Sequence, residues 1–296
     1  EQHMVKKQES WGDNLVHILV VAAVAMLSVC FLYPLWETVV RSFSSARTAN
    51  SIGIKLWPTE FTTDAYVYAL KNPDILTGLQ NTVFRTVTGT LLSVIVTFCG
   101  GYALSRTDLP GKRFITFYVV LTMFINAGLI PTYLNIKGLG LLNSPMAWLL
   151  PCLTSAWHLI ICRNFIASLP AALEESAMID GAHPLRIVFQ IIMPLSAPIL
   201  AVLTLWNAVG QWNAWFDAMI YTPDGSMTVL QLVVRRMLAS SAIDDSSTMM
   251  STTMADLTTT TLKSATIVIS TLPIVILYPF LQKHFVKGVM LGAVKG

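Results

Sequence analysis

Six apolar runs, each about the length needed to cross a bilayer, constrain this chain more than anything else in it. They cover residues 15–35, 82–104, 114–134, 146–165, 195–220 and 265–281. A helix rises about 1.5 Å per residue, so roughly 20 residues cross about 30 Å of hydrocarbon. The runs are continuous and do not alternate with period two, which excludes a closed β-barrel. Backbone groups in lipid must be satisfied within their own segment, and that leaves helices. Only 12% of residues are charged, about half the share of a soluble domain. The chain is therefore expected to be all-α and integral to a membrane, with six transmembrane helices. Gly128 and Pro131 interrupt the third run, Pro151 the fourth, and Pro273 and Pro279 the sixth. Such residues are ordinary in packed membrane helices.

Several functions are excluded early. The formal net charge of +3 is small and spread along the chain, so no nucleic-acid partner is expected. Cys30, Cys99, Cys152 and Cys162 form no C-x-x-C pair and read as small buried hydrophobes. The five histidines show no H-x-x-x-H spacing, so no metal site is expected. No paired carboxylates and no Ser/His pair lie within the spans, so no catalytic residue is assigned. Gly111-Lys112-Arg113 lacks the rest of a G-x-x-x-x-G-K-[ST] loop, so the chain is not expected to cradle ATP itself. Residues 1–3 read as a remnant ahead of a native start at Met4. No cleavable signal peptide is expected, because the first apolar run is too long for an h-region and no cleavage site follows.

The connections are uneven. Residues 41–80 form a long polar segment with a turn at Lys71-Asn72-Pro73-Asp74. Residues 222–263 are rich in Ser, Thr and Met, with a turn at Thr222-Pro223-Asp224-Gly225 and an acidic pair at Asp244-Asp245. Six spans place both termini on one side. That side carries Lys6, Lys7, Arg106, Lys112, Arg113, Arg163, Arg186, Lys283, Lys287 and Lys295, ten of the nineteen basic residues. The raw count decides nothing, but the positive-inside rule weights short loops, and 106–113 is the most basic short loop. Residues 1–14 are thus expected in the cytoplasm, and 222–263 outside. Arg85 and Asp217 are placed near span ends, where they snorkel or pair.

Residues 168–194 read as helix–turn–helix. Ser168 is placed as N-cap with Pro170 in the first turn. Glu174 and Glu175 sit at the favourable end of the helix dipole. Leu169, Leu173 and Ala177, with Ala172 and Ser176, fall on one face. Gly181 suits a C′ position with positive φ, and Pro184 opens a second helix over 185–193. A bland reading is an amphipathic helix lying on the membrane surface. The spacing is more specific. Glu175-Ser176-Ala177, three residues, Gly181, nine residues, Ile191, one residue and Met193-Pro194 resembles the signature of ABC importer permeases. That signature is Glu-Ala-Ala, three residues, Gly, nine residues, Ile, any residue, Leu-Pro. Ser176 replaces an Ala and Met193 a Leu. The resemblance extends through Ala197-Pro198-Ile199-Leu200, Gln211-Trp212-Asn213-Ala214-Trp215 and the ending Gly292-Ala293-Val294-Lys295-Gly296. It covers most of the chain from residue 81 and is nearest to the second permease of maltose-type carbohydrate importers, in the branch for oligo- and polysaccharides such as alginate fragments.

The resemblance implies a type I ABC importer permease in a bacterial inner membrane, one half of a heterodimeric carbohydrate pathway. It implies a second permease, two ATPase subunits that use ATP and Mg, and an extracytoplasmic solute-binding protein. The loop 168–194 would couple to the ATPases through Glu174, Glu175, Ser176, Ala177, Asp180, Gly181, Ile191 and Pro194. In maltose-type permeases the loop matching 222–263 reaches into the external binding protein; a mobile surface connection is the plainer reading here.

Polar groups inside spans are costly and mark pathways. The candidates are Asn126, Asn207, Gln211, Trp212, Asn213 and Trp215. Asn207, Gln211 and Trp215 are four apart and share a helix face. Amides suit sugar hydroxyls and aromatic rings suit sugar C–H faces; helix–helix glue serves equally for each residue taken singly. A stand-alone secondary transporter or channel would need mid-membrane charge, a broken helix or an inverted repeat. Only the break at Gly128-Leu129-Ile130-Pro131 points that way.

Overall fold

A computed structural model of the chain describes residues 11–244 and 259–293. Among them the only strand-like feature is an isolated antiparallel bridge between Ser44 and Phe61. The chain divides into two compact units, the described parts of Glu1–Ala69 with Ser247–Val268, and of Leu70–Ser246 with Ile269–Gly296.

The first unit opens with α1 (Trp11–Ser42). Within its segment Asn14–Ser42 an 18-residue window has a mean hydropathy of 2.7 and is nowhere buried within the chain, as expected of a helix that faces lipid; only near its end are Val40 and Ser42 covered. The polar segment that follows is ordered. It holds α2 (Ala46–Ala49) and most of α3 (Asp64–Lys71). Arg41 donates to Glu37 at 2.6 Å and to the Ala49 carbonyl at 2.8 Å. Phe43 packs on Phe61 and Tyr66, with ring centroids 5.3 and 4.7 Å away.

The second unit is built on α4 (Pro73–Ser105). Asn72 caps it, its Oδ1 accepting the Asp74 N–H at 2.9 Å, and Pro73 fills N1. The helix thus begins at Pro73, well before the predicted 82. Its polar first turns are stabilised by tertiary contacts: Asn81 Nδ2 donates to the Thr228 carbonyl at 2.8 Å, and Thr82 Oγ1 accepts the Leu230 N–H at 2.9 Å. Those partners flank the start of α14 (Leu230–Asp244). So the connection predicted as a loop over 222–263 carries a helix, with Val229, Leu230 and Leu232 buried. The turn before it forms as expected, Gly225 taking φ 73°. Asp244 ends α14, and Asp245 lies outside the described residues.

Between α4 and α14 run α5 (Lys112–Phe124), α6 (Leu129–Gly138), α7 (Met146–Leu149), α8 (Ala156–Ala167), α9 (Ala172–Ile179), α10 (Pro184–Arg186), α11 (Met193–Leu195), α12 (Ala197–Asn213) and α13 (Phe216–Tyr221). A 3-10 turn, Leu150–Cys152, extends α7, and a π segment, Ile187–Ile192, joins α10 to α11. The last helix is α15 (Thr259–Ala293).

Among the described residues three helices are individually long and apolar enough to cross a membrane, within α1, α4 and α15; the number is six if each of three bent pairs is one span. The predicted third, fourth and fifth spans are therefore not straight. The α5–α6 pair bends by 118°, where Gly128 takes φ 82° and Asn126 Oδ1 accepts its N–H. The α7–α8 pair bends by 48° just after Pro151. The third bend is 80°, between Pro184–Leu195 and α12. The predicted fifth span also stops early, α12 ending at Asn213. Of the cysteines only Cys162 is buried; Cys30 and Cys152 are exposed within the chain.

One face of α4 carries Gly78, Thr82, Arg85, Gly89, Ser93, Thr97 and Gly101, all buried. Their spacing of three or four residues makes a continuous stripe. Small residues let helix backbones approach closely. A Cβ at Gly101 would stand 3.0 Å from Cys162 Sγ on α8, and one at Gly89 would stand 2.9 Å from Gln211 Nε2 on α12.

Candidate functional site

Two places concentrate polar chemistry: the connection from α8 to α12, and the middle of α4 where it meets α12 and α13.

In the connection, α8 ends at Ala167 and Ser168 follows it, donating its Oγ to the Phe165 carbonyl at 2.7 Å. Ser168 therefore closes one helix; it does not N-cap the next. Pro170 precedes α9, whose N-cap is Ala171. At the other end of α9 the prediction holds. Gly181 takes φ 73°, its N–H reaches the Met178 carbonyl at 3.0 Å, and the Ala182 N–H reaches the Ala177 carbonyl at 3.0 Å. These are the two hydrogen bonds of a Schellman motif. Ala177 is buried, with Ile187, Val188 and Ile192 in one apolar cluster that Ile191, Ala182 and Met193 pack against. The nine residues from Gly181 to Ile191 thus span a turn and a helical return onto that cluster. His183 caps the return and Pro184 sits at its N1. Pro194 lies within α11. The return is short and partly π, where an α-helix over 185–193 is predicted. The 80° bend at Ser196 turns this return away from the axis of α12.

Glu174 and Glu175 part company here. Glu174 accepts hydrogen bonds from the Tyr102 hydroxyl and from Arg106 Nη1, both at the end of α4. Its side chain is 17% exposed. Glu175, Ser176 and Asp180 are exposed, as is Ile179 at the tip. Of the residues expected to share one face, Ala177 is buried while Ala172, Leu173 and Ser176 are exposed, because the anchor at Glu174 sets how α9 is rotated. Arg106 also pairs with Asp108 at 3.0 Å, and that hydrogen bond holds the Asp108 carboxyl below its ordinary range. Lys112 Nζ donates to the Ser105 and Arg106 carbonyls at 3.1 and 2.6 Å, and Arg163 Nε to the Leu104 carbonyl at 3.3 Å. Cations on the last carbonyls of α4 complement its dipole.

At the second place, Arg85 is not near a span end. It stands about 18 Å along α4 with its side chain fully buried. Nη2 donates to Asp217 Oδ2 at 2.6 Å and Nη1 to Oδ1 at 3.1 Å. Nε and Nη2 also donate to Gln211 Oε1 at 3.1 and 3.0 Å, and the guanidinium carbon lies 5.4 Å from the centre of the Trp148 ring. Gln211 belongs to the last turn of α12 and Asp217 to the first of α13. One guanidinium therefore clamps both sides of the break at 214–215. The predicted pairing is right and the predicted depth is wrong; an ionisable residue on a stripe of small residues was the signal to follow.

The break also separates the predicted stripe. Trp215 lies beyond α12, with the Arg235 guanidinium carbon 3.9 Å from its ring centre, so it does not share a face with Asn207 and Gln211. Trp212 donates its indole N–H to the Ser270 carbonyl at 2.7 Å. Asn207 accepts from Ser93 at 2.9 Å and donates to the Leu203 carbonyl at 2.8 Å. Asn213 is exposed and accepts from Gln231 at 3.4 Å. Asn126 closes its own turn, far along the chain from the others. Beside Asn207 and Gln211 opens a cavity of 350 Å³ between α4, α8 and α12.

Residues 7–291 match the family described as the binding-protein-dependent transport system inner membrane component. The chain belongs to this family. Among its relatives is the polygalacturonan/rhamnogalacturonan transport system permease protein of Bacillus subtilis, 38% identical over 96% of this chain and 99% of that one. The trehalose/maltose transport system permease of Thermococcus litoralis is 28% identical over 94% of this chain and 96% of its own. A solved bacterial ABC transporter involved in import of the acidic polysaccharide alginate includes a chain that superposes with a TM-score of 0.85. It is 30% identical, covering 95% of this chain and all of that one. This permease is thus a multi-pass inner-membrane transport component with the ABC importer fold.

Proposed function

We propose that this permease forms half of the translocation pathway of an ATP-driven importer for an oligosaccharide, with residues 168–194 as the lever that couples it to a cytoplasmic ATPase. The exposed tip that leads into the Gly181 turn carries the reading. Glu175, Asp180 and the 86%-exposed Ile179 present charge and an apolar knob, while the rest of the loop is fastened to the core through Ala177, Ile187 and Ile192. A push on such a tip moves the two-helix body as one piece. The importers named among the relatives, for polygalacturonan/rhamnogalacturonan, trehalose/maltose and alginate, support a saccharide cargo.

The same reading places both termini and the lever in the cytoplasm, and the turn at Thr222–Gly225 outside. It requires a second permease, two ATPase subunits that bind ATP and Mg, and an extracytoplasmic binding protein. The chain is then a transport subunit with no ATPase site of its own, in keeping with the missing G-x-x-x-x-G-K-[ST] loop. The test is gentle purification of the tagged chain from its native membrane, with mass spectrometry of what accompanies it. A second six-span permease and a P-loop ATPase are expected. Purification alone, with uptake intact in liposomes, would overturn the proposal in favour of a stand-alone carrier.

A further inference from the structure

We propose that the cavity between α4, α8 and α12 receives one hydroxyl-rich sugar ring, so that this subunit touches the cargo directly and does not leave that to its sister. The inference rests on the oligosaccharide reading above and names where the contact is made.

The place is right for a passing solute. The cavity meets α4 at Arg85, and its Asn207 wall is bonded to Ser93. Both positions flank residue 89, the midpoint of α4. Polar side chains such as Asn207, Gln211 and Ser155 gathered in a recess within a membrane helix bundle are costly and need a reason. Its 350 Å³ falls at the small end of ligand pockets, about 300–1,000 Å³, which suits one ring and not a chain.

The chemistry is that of a sugar site. Trp206 borders the cavity and is 39% exposed. The His158 ring stacks against it at 5.4 Å and 19°, which stiffens the indole as a platform for C–H faces. Around it stand Thr154, Ser155 and Asn207. The Thr154 and Ser155 hydroxyls make no hydrogen bond to protein among the described residues, and His158 Nδ1 is buried without a partner. Asn207 Nδ2 uses one of its two hydrogens on Leu203 and keeps the other. Hydroxyls and amides that are left over beside an aromatic face are what a ring with several O–H groups satisfies. Arg85 reaches the wall with its charge already matched by Asp217, so the site admits neutral and uronate rings alike.

The test uses the complete importer, purified with its accompanying subunits and reconstituted with its binding protein. Uptake of oligogalacturonates and of malto-oligosaccharides is measured beside unstimulated ATPase. For whichever probe is carried, Trp206→Ala is expected to raise the KM for uptake about tenfold and Trp206→Phe to restore most of it. Thr154→Val, at an exposed position, is expected to raise it about threefold. Unstimulated ATPase stays at the wild-type level in all three. KM unchanged within twofold in both Trp206→Ala and Thr154→Val, with wild-type uptake intact, would overturn this site and leave the oligosaccharide reading standing. No uptake of either probe by the ATPase-competent wild type would overturn that reading, and this site with it.

Discussion

Neutralising Asp217 is expected to unsettle the permease far more than its partly exposed position implies. Arg85 is fully buried and Asp217 is 22% exposed. Their interaction at an effective dielectric of 20 is worth about 4 kcal/mol for charges some 4 Å apart. Removing one partner of a buried pair costs about 3–5 kcal/mol, because the other charge is stranded. Asp217→Asn keeps an oxygen for Arg85, and Gln211 still accepts from it, so the low end applies, about 3 kcal/mol. Arg85→Met strands a less buried carboxylate but also leaves Gln211 Oε1 without its donor; a similar loss is expected. The double variant Arg85→Met/Asp217→Asn is expected to be less destabilised than the two losses summed, by about 2 kcal/mol. Unfolding in mixed micelles titrated with SDS, followed by tryptophan fluorescence, measures all four forms. Asp217→Asn within 0.5 kcal/mol of the wild type would refute the argument that this pair holds the two sides of the broken span.

Three further outcomes follow from the same geometry. Gly181→Val places a β-branched residue at φ 73° with nothing within 4 Å of its Cβ. The cost is therefore conformational, about 1–2 kcal/mol, and the complex should insert normally while ATP hydrolysis no longer drives uptake. Normally coupled uptake would defeat the turn argument. Glu174→Gln and Tyr102→Phe should each lower stability by about 1–2 kcal/mol and combine with less than additive effect. Glu175→Gln should leave stability within about 0.5 kcal/mol and reduce ATPase coupling; the reverse pattern would interchange the two roles. Gly101→Ala brings a Cβ to 3.2 Å from the Arg163 backbone nitrogen, so α4 and α8 must part, at about 1–3 kcal/mol. A thermal melt of the purified permease unchanged by that substitution would mean that the helices are not held so closely.

Much of the site was legible in the residues, and the reasons for the misses are specific. The Gly181 turn was readable because a single residue type tolerates positive φ after a helix. The order of Glu174 and Glu175 was readable, but their division of labour was not: it depends on Tyr102 and Arg106, about seventy residues away in the chain. Ser168 has the chemistry of an N-cap, and only the continuation of α8 to Ala167 decided that it closes a helix.

The sequence by itself determined that the chain is helical and membrane-embedded, because lipid leaves unbroken apolar runs no other way to satisfy their backbones. It also determined the turn at Gly181, since only glycine readily takes a positive φ after a helix. Gly128 and Pro151 already marked two of the bends, and tertiary structure decided how far the spans bend and how deep a charge lies. Arg85 looks like a residue near a span end because hydropathy is a local sum. It lies inside because Gln211 and Asp217, brought from 126 and 132 residues away, replace the water it gives up.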